Sequence, residues 1–458
     1  MNSEDKLTIA KSIVNTEPDE ALRLCSEVMT EEPDSKMGHA ALFMAGYIML
    51  EAERFGLAYH IYSRCAEIRP DMSSCYQNMA TSLELIDPDK ALKLFQKAQS
   101  LDPNNHESMA NEGLLWLKKG NPRKCIKLNK KALLMNPGNM VCQHNIGLAK
   151  LMLKDWSGWA EYSATLGVKG RTKVDYGIPE WDGKAPGKLL VYGEQGVGDE
   201  IMFVSMLKEL MADHEIVLDT DERLRTLFDR SFDCQVYGTR FQSESNIRLD
   251  HPDLDYQVAI GQLGELFRSK GDFPGTHYLV ANPDQKIMYR ALFDTFPGKK
   301  IGIAWTGGTP QMGQHKRSFD VDELHTLLNK PGNTFISLEY NPINQEDMDN
   351  FGIKTFPHVT GKGQNIDELA SLISQLDMVV TVCTTVVYIA GALGVPCYVL
   401  VPSEPSYRYH SEGCFPWYKS VTLARQKEGQ EWRSVVKDLA DEILPEFSVA
   451  LLAQGITL

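Results

Sequence analysis

The 458-residue chain has nine cysteines, at 25, 65, 75, 125, 142, 234, 383, 397 and 414. None forms a CxxC pair or a Cys/His spacing suited to a metal. Several sit at apolar helix or strand positions, as reduced core residues of a cytosolic chain do. No stretch approaches the ~18 consecutive apolar residues of a membrane span. The opening Met-Asn-Ser-Glu-Asp-Lys lacks the basic-then-apolar order of a signal peptide. Positive charge is short as well: 47 Lys and Arg face 61 Asp and Glu, a net charge of −14. The acid excess is uneven, with 20 basic and 21 acidic residues before Gly170 and 27 against 40 after it. A uniformly basic face for nucleic acid is excluded; a local basic pocket is not. The expectation is a cytoplasmic protein with no metal, no membrane span and no nucleic-acid partner. The length is too great for one core and implies two or three domains.

What is present begins with a repeat. Prolines recur at Pro33, Pro70, Pro103 and Pro137, spacings of 37, 33 and 34, each after a helical segment. A period near 34 marks a helix–turn–helix solenoid. Segments 72–105 and 106–139 align without gaps. Ala80, Leu83, Ala91, Phe95 and Ala98 supply the small/large alternation of nested helices in the first; Gly113, Trp116, Leu117, Ile126, Leu128 and Ala132 are the corresponding set in the second. These features resemble the tetratricopeptide repeat family over roughly residues 5–150. Trp156, Trp159 and Tyr162 are expected to cap the stack. The concave face of such a solenoid is a generic peptide-binding surface. Asn78, Asn111 and Asn145 recur at 33 and 34 and are candidate peptide contacts, or else bonds to a neighbouring repeat.

Residues 166–187 are polar and rich in Gly and Pro, a domain lead-in. Beyond it, short apolar runs alternate with helical stretches. Strands are expected at Leu189–Tyr192, 215–218, Gln235–Tyr237 and Tyr256–Ala259, with helices at 200–212 and 224–228. A second set has strands at 300–305, 334–338, Met378–Val382 and Cys397–Val401, and helices at 321–328, 367–375 and 385–393. A helix over 432–452 closes the chain. Such alternation predicts parallel, Rossmann-like sheets. The expected fold is an α-solenoid (1–165), the lead-in (166–187), then an α/β GT-B body of two Rossmann-like halves (188–295 and 296–458). Ligands in open α/β sheets lie at the carboxyl ends of the strands.

Four loops occupy those ends. Gly193-Glu-Gln-Gly-Val-Gly-Asp-Glu200 offers Gly196 and Gly198 for close backbone approach to a ligand. Asp199 there is either a helix N-cap or a general base. The loop lacks the Lys-Ser/Thr of a P-loop, which excludes that ATPase type. Lys316 and Arg317 are either solvent-facing charges or cations for a diphosphate. Glu339 follows the next strand. Thr384 and Thr385 open a helix, either as caps or as part of an anion site at free N–H groups. Asp219 and Asp221 form an Asp-x-Asp pair that reads as a helix start.

Taken together, Gly-Glu-Gln-Gly-Val-Gly-Asp-Glu, Ile-Ala-Trp-Thr-Gly-Gly, Lys-Arg-Ser, the Leu-Asp-Met-Val-Val-Thr…Ala-Gly-Ala-Leu-Gly-Val-Pro run and Pro-Trp-Tyr resemble bacterial and phage proteins that fuse tetratricopeptide repeats to a heptosyltransferase-like GT-B domain. The order of repeats before a GT-B body is also similar to the protein O-GlcNAc transferases. The resemblance covers most of 185–435. It implies an inverting, metal-independent glycosyltransferase without a bound cofactor. A nucleotide-diphosphate sugar would be its donor and a protein or glycan hydroxyl its acceptor. It implies Asp199 as base, and Gly196, Gly198, Lys316, Arg317, Glu339, Thr384 and Thr385 around the donor. Two positions depart from the family pattern: Cys383 replaces an Asp, and Tyr388 a His. They support the competing expectation of a non-catalytic repeat scaffold with a degenerate nucleotide-binding domain. A sugar-nucleotide epimerase on the same fold has no distinctive motif here.

Overall fold

The structure, a computed structural model, describes residues 1–168, 170–242, 246–308, 313–341, 344–357, 359 and 365–445. It divides into two compact units, Met1–Ala149 and Lys150–Leu458.

The first unit is a series of αα-hairpins: α1 (Ser3–Ile13), α2 (Pro18–Glu31), α3 (Lys36–Glu51), α4 (Phe55–Ile68), α5 (Ser73–Leu83), α6 (Pro88–Leu101), α7 (His106–Lys118), α8 (Pro122–Met135) and the start of α9 (Met140–Met152). The helix starts are written in the sequence. Side chains of Asn2, Ser35, Asp87, Asn105 and Asn121 accept from backbone N–H groups one turn on. Pro18, Pro88 and Pro122 take the first helical position, where their missing N–H costs nothing. The period-34 prolines fall just after α2, α4, α6 and α8, as expected.

The core of this unit follows the gapless alignment, with one departure. Ala80, Leu83, Ala91, Phe95 and Ala98 are buried. Their counterparts in α8 are Cys125, Asn129 and Ala132, all 0% exposed; Ile126 and Leu128 are only half-buried. Asn129 thus stands where Phe95 stands one repeat earlier. Its amide donates to the Cys125 carbonyl at 2.9 Å and accepts from Asn145 Nδ2 at 3.1 Å. Asn145 also donates to the Ala110 carbonyl at 3.3 Å. Asn145 is therefore an internal strut between repeats and not a peptide contact, a correction to the expected ladder; Asn78 and Asn111 remain half-buried. Gly113 is required beside it, because a Cβ there would lie 2.2 Å from Asn129 Nδ2.

The second unit starts with α10 (Gly158–Ala164) and then carries β1 (Leu189–Tyr192), α11 (Val197–Phe203), α12 (Leu207–Leu210), β2 (Ile216–Asp219), α13 (Arg225–Ser231), β3 (Gln235–Tyr237), α14 (Ile247–Asp250), β4 (Tyr256–Ala259), α15 (Leu263–Phe267) and α16 (Pro283–Phe293). There follow β5 (Lys299–Ala304), α17 (His325–Leu328), β6 (Asn333–Ser337), α18 (Gln345–Phe351), α19 (Ile366–Ile373), β7 (Met378–Val382), α20 (Thr385–Leu393), β8 (Cys397–Val401), β9 (Val421–Arg425) and α21 (Trp432–Ile443). Two all-parallel sheets result, ordered β3-β2-β1-β4 and β6-β5-β7-β8-β9. Their central strands are buried end to end, as parallel strands covered by helices must be. β9 and α16 were not expected from the sequence. α21 lays Val435, Val436 and Leu439 on the second sheet's core of Ile301, Ile303, Val380 and Leu400. The helix ends at Ile443, before the non-helical Leu444 and Pro445, rather than running on as expected; residues 446–452 lie outside the described residues.

The aromatic trio expected to cap the solenoid belongs to this second unit. Trp156 packs on Phe273 with ring centroids 4.8 Å apart, and Trp159 meets Phe203 and Trp417 at 6.1 and 6.2 Å. These rings knit α10 to α11 and the C-terminal loops.

The buried Asn129–Asn145 pair yields a stability prediction. Asn145→Ala leaves the Ala110 carbonyl and the Asn129 oxygen without their donor, and should lower unfolding free energy by about 1–3 kcal/mol. Denaturant titration followed by circular dichroism checks this; an unmoved midpoint contradicts the strut.

Candidate functional site

The site is built where α11 crosses α20. Gly196 is the N-cap of α11, in extended conformation, with no side chain to cap it. Gly198 lies against the other half of the unit: a Cβ there would sit 3.0 Å from the Tyr388 ring and 3.5 Å from Thr385 Oγ1. The face of Gly198 that a side chain would occupy is thus taken up by the helix crossing. Around Gly196 there is open space, the nearest atom to a built Cβ being Asp199 Oδ2 at 3.8 Å.

Asp199 falls in the first turn of α11 and does not cap it. Its Oδ1 accepts from Nε of Arg408 at 2.5 Å, with both side chains about one-eighth exposed. Arg408 rides on the 3₁₀ turn Tyr407–Tyr409, from the other side of the crossing. Burial works against its charge, but Asp199 more than offsets this and keeps the guanidinium firmly protonated. The loop under Arg408 is pinned. His410 sits at φ 55°, its Nδ1 bonded to the Leu151 carbonyl at 2.8 Å. Arg425 holds the Tyr409 and His410 carbonyls at 2.6 and 3.1 Å.

Thr384 is the N-cap residue of α20 by position, yet its side chain makes no capping bond. The capping reading of this threonine is thereby removed. Arg317 reaches the same turn, donating from Nη1 to the Cys383 carbonyl at 3.1 Å, while its buried Nε has no partner among the described residues. Lys316 is turned to the end of β8, where it pairs with Glu404. Its side chain is about a quarter exposed.

Glu339 has another task than the one expected. It is 2% exposed, and its two oxygens accept the Trp305 and Thr306 N–H groups and the Thr306 hydroxyl, the Thr306 N at 2.8 Å. Burial raises its carboxyl pKa, with these donors acting the other way. Asn341 adds a bond to Thr306 Oγ1 at 2.9 Å. Glu339 thus fixes Trp305 and Thr306 at the end of β5, with Oε1 accepting two N–H groups and Oε2 the hydroxyl.

The structure also shows a buried polar network that sequence reasoning missed. Glu200, next to Asp199, is 1% exposed and pairs with Arg240, whose Nη2 reaches Asp221 at 2.9 Å. Burial pushes the Glu200 carboxyl up to about 7. Asp221 also binds Arg223 at 2.8 Å and caps its own 3₁₀ turn, and Asp219 accepts from Tyr176 and Thr239 N at 2.8 Å each. The Asp-x-Asp pair is split: Asp221 starts the 3₁₀ turn, as expected, whereas Asp219 ends β2. Its signal was positional: charged residues directly after β1, β2 and β3. Among the described residues no three His, Cys, Asp or Glu side chains form a metal-ligand group.

Cys383 and Tyr388 are both buried, at 3% and 6% exposure. Burial pushes the Cys383 thiol up to about 12, so it is no nucleophile at neutral pH. Tyr388 packs on Gly198 and on Phe415 at 6.3 Å.

No family model matches the chain. Protein FlbA of Caulobacter vibrioides is 26% identical over 308 residues, 62% of this chain; the match spans about half (51%) of FlbA. Among solved structures, a thermophilic tetratricopeptide-repeat protein of Thermus thermophilus shares 16% identity with a TM-score of 0.32, covering 36% of this chain and 89% of its own. MamA of Desulfovibrio magneticus shares 16% at 0.30, covering 36% and 94%. YrrB, described as a tetratricopeptide protein with an unusual peptide-binding site, shares 14% at 0.28, covering 36% and 88%. No described helix is long and apolar enough to cross a membrane.

His410 gives a pH prediction. Burial lowers its pKa from 6.5 to about 4, with Lys154 and Arg425 adding to the effect and the Leu151 bond opposing it. The unfolded chain therefore takes up this proton first as pH falls. Stability is complete above about 6.5 and declines toward 4, by up to about 3 kcal/mol from this residue. Thermal melts between pH 7 and 4.5 should fall less steeply for His410→Gln than for the parent. Parallel profiles contradict the assignment.

Proposed function

We propose that the second unit is a glycosyltransferase of GT-B type, moving a sugar from a nucleotide diphosphate to an acceptor hydroxyl with inversion. The observation that carries this reading is the apposition of Asp199 with the N-terminus of α20, whose lead threonine makes no capping bond. A helix N-terminus with free N–H groups suits an anion. Arg317, held at the same turn through the Cys383 carbonyl, adds a cation with a spare donor.

In the reaction the acceptor oxygen attacks the anomeric carbon and the bond to the diphosphate breaks. The acceptor proton passes to Asp199, through the oxygen that Arg408 leaves free. Negative charge developing on the leaving diphosphate is met by Arg317 and the first N–H groups of α20, a preorganised electrostatic contribution. Lys316 joins them if the diphosphate draws it from Glu404. Glu339 holds the loop that presents Arg317. The repeat unit is a scaffold whose surface suits a protein partner or acceptor.

One observation favours the second reading, a non-catalytic scaffold. Tyr388 seats its ring on Gly198, and both Asp199 and Lys316 are already ion-paired.

Nucleoside diphosphate release from a panel of nucleotide sugars separates the two. Asp199→Asn should reduce turnover by about 10²–10⁴, the usual range for a general base, with little change in donor affinity. Arg317→Ala should instead weaken nucleoside diphosphate binding. Turnover indifferent to Asp199→Asn refutes the catalytic assignment; absence of any release by the parent protein supports the scaffold.

A further inference from the structure

Charge is segregated inside the first unit. Residues 1–112 carry 10 Lys and Arg and 19 Asp and Glu, whereas residues 113–149 carry seven Lys and Arg and no acid. Five of those seven are on α8. Arg123, Lys127, Lys130 and Lys131 are exposed, and with Leu134 they recur at spacings of 4, 3, 1 and 3. That spacing places them on one helical face. The opposite face is the buried one, with Cys125, Asn129 and Ala132. The stripe runs about 16 Å along the helix, at 1.5 Å per residue.

Neighbouring cations are already engaged. Lys118 pairs with Glu84 at 2.8 Å, Lys119 with Asp89 at 3.3 Å, and Lys124 lies 3.5 Å above the Trp116 ring. Arg123, Lys127, Lys130 and Lys131 have no carboxylate partner among the described residues. At the end of the stripe Leu134 is 85% exposed. Four unpaired cations raise a local positive potential on an otherwise acidic chain. An exposed leucine beside them matches the apolar centre and charged rim of a protein interface. It has no use against a phosphate backbone, and the stripe offers no free aromatic face on which bases could stack.

We propose that this outward face of α8 docks an acidic protein segment, with carboxylates on Arg123, Lys127, Lys130 and Lys131 and an apolar side chain on Leu134. The assignment stands apart from the enzymatic reading and holds whether or not the second unit turns over a sugar nucleotide.

The test uses the full chain and a fluorescein-labelled synthetic peptide rich in Glu and carrying two Leu, followed by anisotropy. Binding should weaken between about 50 and about 300 mM salt, as screening shortens the reach of the cations. Lys127→Glu, Lys130→Glu and Lys131→Glu together should weaken it roughly tenfold or more. Leu134→Asp should also weaken it, and Lys90→Glu with Lys93→Glu on α6 should not. If the triple variant fails to fold by circular dichroism, Lys127→Gln and Lys130→Gln replace it with the same expected direction. Equal losses in the α6 control, or no loss in the α8 variants, overturn the proposal. So does tighter binding of an oligonucleotide or of phosphatidylserine vesicles through the same residues, or self-association that the α8 substitutions abolish.

Discussion

A tyrosine ring resting on a bare backbone holds the candidate site together. Gly198 lets α11 approach α20 closely enough for Tyr388 to pack at 3.0 Å from where a side chain would begin. A side chain at 198 would press on the Tyr388 ring and require it to shift by a few tenths of an ångström. At that separation Asp199, carried on the first turn of α11, pairs with Arg408. Both groups are largely out of solvent, so the loss of one would leave an uncompensated charge, which is costly. Packing at Gly198 and the Asp199–Arg408 pair thus lie side by side on the first turn of α11.

Around this crossing the unit partners its buried cations and carboxylates with one another or with backbone groups. Glu200 with Arg240 secures the base of the Asp199 turn, Glu339 clamps the loop after β5, and Arg425 collars the loop bearing Arg408. None of these needs to touch a substrate. Each removes freedom from a loop at the carboxyl end of a parallel strand, where an α/β sheet presents its ligands.

Much of this was legible in the sequence, and the failures are instructive. Period and proline placement located the hairpins, and apolar runs located eight of the nine strands. β9 escaped because its burial is partial, and its Val-Thr-Leu-Ala-Arg run has no bounding signal. The loops that converge were named from glycine, threonine and cation chemistry alone. Their individual roles were not. Gly198, Glu339 and Asn145 all carried functional expectations, and each has an internal partner that the sequence did not show, because polarity in a sequence does not reveal whether a partner is waiting inside the fold. Conversely, Arg408 lies 209 residues from Asp199, and no local pattern couples two positions that far apart.

The central claim is that the N-terminus of α20 binds a diphosphate, with the turn that opens α11 packed beside it. Hydrogen exchange of the full chain, with and without a saturating nucleoside diphosphate, measures it directly. The account predicts slowed exchange at the amides of residues 384–388 and 196–200 together, with the repeat helices unchanged. Protection confined to other loops, or to neither segment with a nucleotide shown to bind, would contradict it.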